Sequence, residues 1–144
     1  MRLPQPAPGL VLRYAFLWRR EFDAGQDESR KDRPCAVIIA TPAVAGGTQV
    51  YVLLVTHTPP ADPSLAIEIP PRIKEHLRLD DERSWIVLDE INDFLWPGYD
   101  LRPVPGSQPA RMEYGVLPPR FFDTVRTAFL ALAQARRVKR TPRA

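Results

Sequence analysis

The apolar residues of this chain come in short runs separated by proline, glycine and charge, a pattern of strands rather than of long helices. Residues 1–8 carry Pro4, Pro6 and Pro8 and read as an extended lead-in. Residues 9–18 (GLVLRYAFLW), rich in Leu, Val and aromatic side chains, predict a first strand. Residues 19–32 hold nine charged side chains among 14 and almost nothing to bury, which predicts a long exposed loop. Arg33-Pro34 then leads into CAVIIAT, short enough for a buried strand, and residues 49–56 (QVYVLLVT) read as the next. The intervening Gly46-Gly47 marks the turn of a hairpin.

Beyond the hairpin, residues 57–64 (HTPPADPS) form a proline-stiffened loop, followed by a short strand at 66–69. Residues 71–79 start with proline at a first helical position and fit one or two helical turns. Residues 85–91 (WIVLDEI) predict another strand, Trp96-Pro97-Gly98 opens a loop, and residues 112–116 predict a final short strand. One strong helix is expected, from Pro119 to about Arg137, with Phe121, Phe122, Val125, Phe129, Leu132 and Ala133 on one apolar face. Several short strands and one terminal helix predict a mainly β (α+β) domain over residues 9–138, a small antiparallel barrel capped or plugged by the helix.

Composition sharpens this picture. Seventeen prolines in 144 residues argue against a helical bundle, because proline breaks helix interiors, and suit loops and strand ends. The formal net charge of +3 first suggests a polyanionic partner. Five of the positive charges, however, sit in the last nine residues, at Arg136, Arg137, Lys139, Arg140 and Arg143. The rest of the chain holds 15 basic and 17 acidic residues, so the body is slightly acidic and residues 139–144 read as a solvated, frayed basic tail. The single Cys35 allows no intrachain disulfide, which points to a reducing cytoplasm, and its apolar neighbours make it a buried hydrophobe rather than a nucleophile. No secretory leader is evident at the N-terminus, and no run of about 18 apolar residues offers a membrane span.

Few motifs of known chemistry are present. There is no glycine-rich phosphate loop and no metal-ligand spacing, with His57 and His76 the only histidines, so neither a metal nor a cofactor is expected. Asp89, Glu90 and Asp93 are the nearest carboxylate grouping, and Asp80-Asp81-Glu82 reads as a solvated turn. What remains is a scattered set. Arg33 stands where the charged loop meets a buried strand, Thr56 ends an apolar strand, and His57 and Thr58 follow it. Each has an ordinary alternative: a surface ion pair for Arg33, β-propensity for Thr56, an exposed loop imidazole for His57.

Taken in order, these residues resemble the MazF/PemK family of toxin endoribonucleases. Gly9-Leu10-Val11 resembles the family's opening strand, and residues 28–37 (ESRKDRPCAV) its Glu-Gln-x-Gly-x-Arg-Pro-hydrophobic segment. Residues 50–58 (VYVLLVTHT) resemble the strand that ends in Ile-Thr-x-Gln, and Val87-Leu88-Asp89-Glu90-Ile91 the Val-Leu-Leu-Asp-Gln-Ile segment. Tyr114-Gly115-Val116-Leu117 and the helix after it resemble the family's closing strand and terminal helix. Lys31 stands where the family usually has Gly, and Glu90 where it usually has Gln.

The resemblance implies an SH3-like barrel, a homodimer, a cognate antitoxin protein as partner, and metal-independent cleavage of single-stranded RNA. Arg33 and Thr56 match the residues that carry the family's chemistry. RNA contacts are then expected from His57, Thr58, Glu90, Trp96, Arg19 and Arg20. Glu90 would put negative charge near the RNA groove, and Trp96 would either stack an unpaired base or pack in the core. A barrel that binds nucleic acid or protein without cutting is the competing expectation, and a dimeric interaction module with an arginine tail is a third.

Overall fold

A computed structural model describes residues 2–25 and 31–144; Met1 and residues 26–30, with Glu28, Ser29 and Arg30 of the Arg-Pro segment, lie outside the described residues. Eight strands join in one mainly antiparallel sheet with helices beside it, an α+β architecture. They are β1 (Leu10–Tyr14), β2 (Arg33–Pro42), β3 (Thr48–Thr56), β4 (Ala66–Glu68), β5 (Trp85–Val87), β6 (Glu90–Leu95), β7 (Glu113–Val116) and β8 (Lys139–Pro142). The main path runs β4-β5-β3-β2-β1-β7, with β6 on β3 and β8 on β6, and the sheet does not close on itself. The helices are α1 (Arg19–Asp23), α2 (Pro71–His76) and α3 (Pro119–Gln134), and a single 3-10 turn spans Pro63–Leu65.

The central strands are apolar on both faces because both are covered. Side chains alternate across a strand, so Val11, Ala36, Ile38, Leu53 and Val55 point into one cluster. Leu10, Leu12, Tyr14, Cys35, Val37, Val50, Val52 and Leu54 point into the other. α3 covers the first with Val125, Phe129 and Leu132, while Ala133, expected on that face, is exposed. Phe16 and Phe94 fill the second, and Trp96 packs against them. Cys35 is fully buried, and desolvation pushes its thiol far above the usual range, against the opposing charge of Arg33.

Three departures from the sequence reading have local causes. The segment expected as a charged loop begins with the helix α1. Its first N–H, on Arg19, donates to Glu90 Oε1 at 2.8 Å, Glu21 accepts from the Trp18 N–H, and Arg19 pairs with Asp23 one turn on. The expected strand 85–91 is two strands on one edge of β3. Val55 lies opposite Ile86 but Val52 lies opposite Asn92, so six residues stand against three and the strand is broken by a bend at 88–89.

The last residues are not a frayed tail. α3 ends in a Schellman turn, Arg137 N–H to the Leu132 carbonyl and Arg136 N–H to that of Ala133, with Arg136 left-handed at φ 57°. That turn sends the chain back as β8, parallel to β6. The 112–116 strand is therefore not the last. Arg140 then forks onto the buried Asp93 at 2.7 and 2.9 Å, and Arg143, with a side chain only 5% exposed, reaches Asp100 at 3.2 Å. Thr141 is buried between them in sequence.

Candidate functional site

β2 and β3 are hydrogen-bonded neighbours, which brings the start of one close to the end of the other: Cys35 lies opposite Leu54. Arg33, beginning β2, and Thr56, ending β3, consequently border the same two depressions. The first is a cleft of about 380 Å³ in which Arg13, Arg33 and Arg78 meet Asp32 and Asp80, with Thr56, His57 and Tyr114 among its walls. The second, about 340 Å³, is mostly apolar and is bordered by Trp18, Arg20, Thr58, Pro59 and Asp89 as well as Arg33 and Thr56.

Arg33 is half-buried, and its Nε has no hydrogen-bond partner among the described residues. No ion pair is found for it among them either, although most carboxylates nearby are engaged. A buried donor without a partner is costly, and this one belongs to a side chain that lines both depressions. Thr56 is buried and its Oγ1 accepts from the Thr58 N–H at 3.2 Å, which leaves the hydroxyl proton to donate elsewhere.

Lys74 of α2 organises the far wall. Lys74 is 5% exposed, and its ammonium donates to Asp80 Oδ1 and to Ser84 Oγ, both at 2.7 Å, and to the Glu82 carbonyl. A second Schellman turn, Arg78 N–H to Glu75 and Leu79 N–H to Lys74, ends α2 and folds the following loop back over that ammonium. It holds Arg78 left-handed at φ 54°, a conformation that costs a non-glycine residue about 1 kcal/mol and here aims the chain into the cleft. Asp80 Oδ2 lies 2.8 Å from His57 Nε2. Burial pushes the Asp80 carboxyl up, but the hydrogen bonds and charges of Lys74 and His57 outweigh it and hold the group below the usual carboxylate range. His57, Asp80 and Glu82 gather ligand-type atoms within 4.8 Å, yet the Lys74 ammonium already occupies the cationic position beside Asp80.

The other expected RNA contacts divide. Thr58 and Arg20 border the second depression with Arg33 and Thr56. Arg19 and Glu90 do not; they lie in a separate recess with Arg20, Lys139 and Arg140. Glu90 is spent on capping α1, and desolvation pushes its carboxyl above the usual range, a shift the Arg19 N–H opposes. Trp96 packs beside Phe94, at a ring separation of 6.3 Å, and borders neither depression.

The aromatic side chain that does border the site is Trp18, with the Arg20 guanidinium 4.7 Å over its ring. Asn92, fully buried, fixes it there by exchanging two 2.8 Å hydrogen bonds with the backbone of Leu17. Trp18, Arg13, Arg78 and Lys74 escaped the sequence reading because no local motif marks them.

No family model matches this chain, and no curated protein matches it. The likeness to MazF/PemK proteins rests on the residues themselves. No helix among the described residues is long and apolar enough to cross a membrane.

Proposed function

We propose that this chain is a toxin-type endoribonuclease of the MazF/PemK kind that cuts single-stranded RNA without a metal, by attack of the substrate's own 2′-hydroxyl. The observation that carries the reading is that Arg33 and Thr56, singled out from sequence, border the same two adjoining depressions while the Arg33 Nε has no partner among the described residues. An SH3-like barrel, a homodimer, a cytoplasmic setting and an antitoxin that occupies this face belong to the same proposal.

The chemistry asked of the site is modest. The guanidinium of Arg33 binds two non-bridging phosphoryl oxygens as charge builds on them, a task that matches its planar fork. The Thr56 hydroxyl, its oxygen fixed by the Thr58 N–H, donates to the same phosphate or to the 2′-oxygen. Arg13 and Arg78 add positive potential on the first side. On the second side the mostly apolar depression beside Trp18 suits an unpaired base, which a duplex would keep stacked.

A module that binds RNA or protein and does not cut is the second reading, favoured by Asp32 and Asp80, which bring negative charge to the same cleft. One assay separates the two. Purified protein is incubated with single-stranded RNA in EDTA, with Arg33→Ala and Thr56→Ala alongside. Discrete products ending in 2′,3′-cyclic phosphate, lost in both variants, are expected. RNA bound but uncut by micromolar wild type gives the second reading.

A further inference from the structure

Arg33 and Thr56 leave one task of the proposed reaction without an agent. A guanidinium cannot accept a proton at ordinary pH, and a threonine hydroxyl is a feeble base. We infer that His57 takes the proton from the attacking 2′-hydroxyl, with Asp80 as the residue that positions it. The inference rests on the ribonuclease reading and supplies the base that reading lacks.

His57 follows Thr56 directly and lines the same cleft as Arg33. Its Nε2 lies 2.8 Å from Asp80 Oδ2 and 3.5 Å from Glu82 Oε2. An ionised carboxylate only accepts hydrogen bonds, so this contact fixes the proton on Nε2 and leaves Nδ1 with the ring's lone pair. Asp80 is itself held from behind, its other oxygen bound by the buried Lys74 ammonium, which Ser84 and the Glu82 carbonyl fix in turn. His57 is itself an exposed loop residue, with a side chain 52% exposed, but its ring is tethered. Here a buried cation sets a carboxylate and the carboxylate sets an imidazole, beside Arg33, whose buried Nε is unpartnered among the described residues. The charged groups around the imidazole are Asp80 and Glu82 from the loop between α2 and β5, Lys74 behind them, and Arg13, Lys31, Asp32, Arg33 and Arg78 along the cleft.

The step balances without a further reagent. The 2′-oxygen bonds to phosphorus as its proton passes to Nδ1. The bond from phosphorus to the 5′-oxygen breaks with its electron pair on that oxygen, which takes a proton from water. The products are a 2′,3′-cyclic phosphate and a 5′-hydroxyl, and the imidazolium returns its proton to solvent. Asp80 stabilises the imidazolium formed on the way.

The test measures kcat and KM across pH for the full-length wild type, His57→Gln, Asp80→Asn and Arg33→Ala on single-stranded RNA in EDTA, with nitrogen-15 spectra of the imidazole. His57→Gln is expected to lower kcat about 100-fold, with KM changed less than about twofold, and to abolish the acid limb of the pH–rate profile. Asp80→Asn is expected to lower kcat about tenfold at unchanged KM and to release the ring from its single tautomer. His57→Gln cutting at the wild-type rate, while Arg33→Ala does not cut, overturns the inference and leaves the ribonuclease reading standing. A wild-type imidazole with its proton on Nδ1 overturns it as well. A wild type that cuts no RNA removes both.

Discussion

Two arginine-rich regions lie at opposite extremes of satisfaction. At β8, Arg140 makes a two-pronged contact with Asp93, which is 1% exposed, and Arg143 lies almost wholly inside, bonded to Asp100 and to the Ala15 carbonyl. At the cleft, Arg33 is half-buried with its Nε unpartnered among the described residues, and the Arg13 guanidinium donates only to the Tyr114 hydroxyl among them. The first arrangement spends its charge on holding the sheet together. The second leaves charge unspent where a ligand can reach it. Sequence separates the two only in part: it marks Arg33 as a candidate, but it reads the terminal basic residues as a solvated, frayed tail rather than as a paired strand. What separates a stabilising arginine from a recognising one is whether its carboxylate is already in place.

The largest expected effect tests the unspent side. Arg33→Ala should lower RNA cleavage by about 100-fold or more, the typical loss when one donor to a developing oxyanion is removed. Its thermal midpoint should stay within the shift given by about 0.5 kcal/mol, since no ion pair is broken. Cleavage unchanged, with stability lost, would make Arg33 a structural residue and dissolve the contrast.

Arg140→Ala should do the reverse. Asp93 would remain buried with the Gln49 amide as its side-chain partner, and a buried carboxylate robbed of its cation costs about 2–3 kcal/mol. For a chain of this size that is a fall of about 5–10 °C in Tm, measurable by calorimetry. Cleavage per folded molecule should hardly move. If Arg140→Ala instead weakens RNA binding at full stability, the terminal strand is part of the substrate surface.

Strand existence was largely legible and strand partnership was not. The hairpin of β2 and β3 follows from two short apolar runs on either side of Gly46-Gly47, both of which adopt positive φ as the turn requires. Arg33 and Thr56 are brought together by that hairpin, so this part of the site could be read from sequence. α1 was hidden because its stabilising group, Glu90, lies 71 positions away from Arg19. β8 was hidden because its arginines find their carboxylates, Asp93 and Asp100, only after α3 has turned the chain back. Sequence leaves Trp96 between base stacking and core packing, because nothing in it reports that Phe94 draws the ring against the core.

The smallest expected effect falls between the two regions, at Glu90 on β6 beside β8. Burial raises its carboxyl above the unfolded value, with Asp89 adding to the rise and the Arg19 N–H, Lys139 and Arg20 opposing it. A raised carboxyl binds its proton more tightly in the folded chain. Its contribution is therefore most favourable below the unfolded value and declines as pH rises through the folded one, so at neutral pH the charge costs stability. Asp80 in the cleft, held low, has the opposite sign: its contribution is present at neutral pH and lost as acid protonates it. Glu90→Gln keeps an oxygen to accept from the Arg19 N–H and removes the charge. It should stabilise the fold at neutral pH by less than about 1 kcal/mol, given solvent screening of a partly exposed group, and the gain should vanish in acid, where both side chains are neutral. Denaturant titrations of the two proteins at neutral and acid pH read this directly. A loss of stability at neutral pH would mean that the Glu90 charge is needed by α1, Arg20 and Lys139, and that this recess too spends its charge on structure.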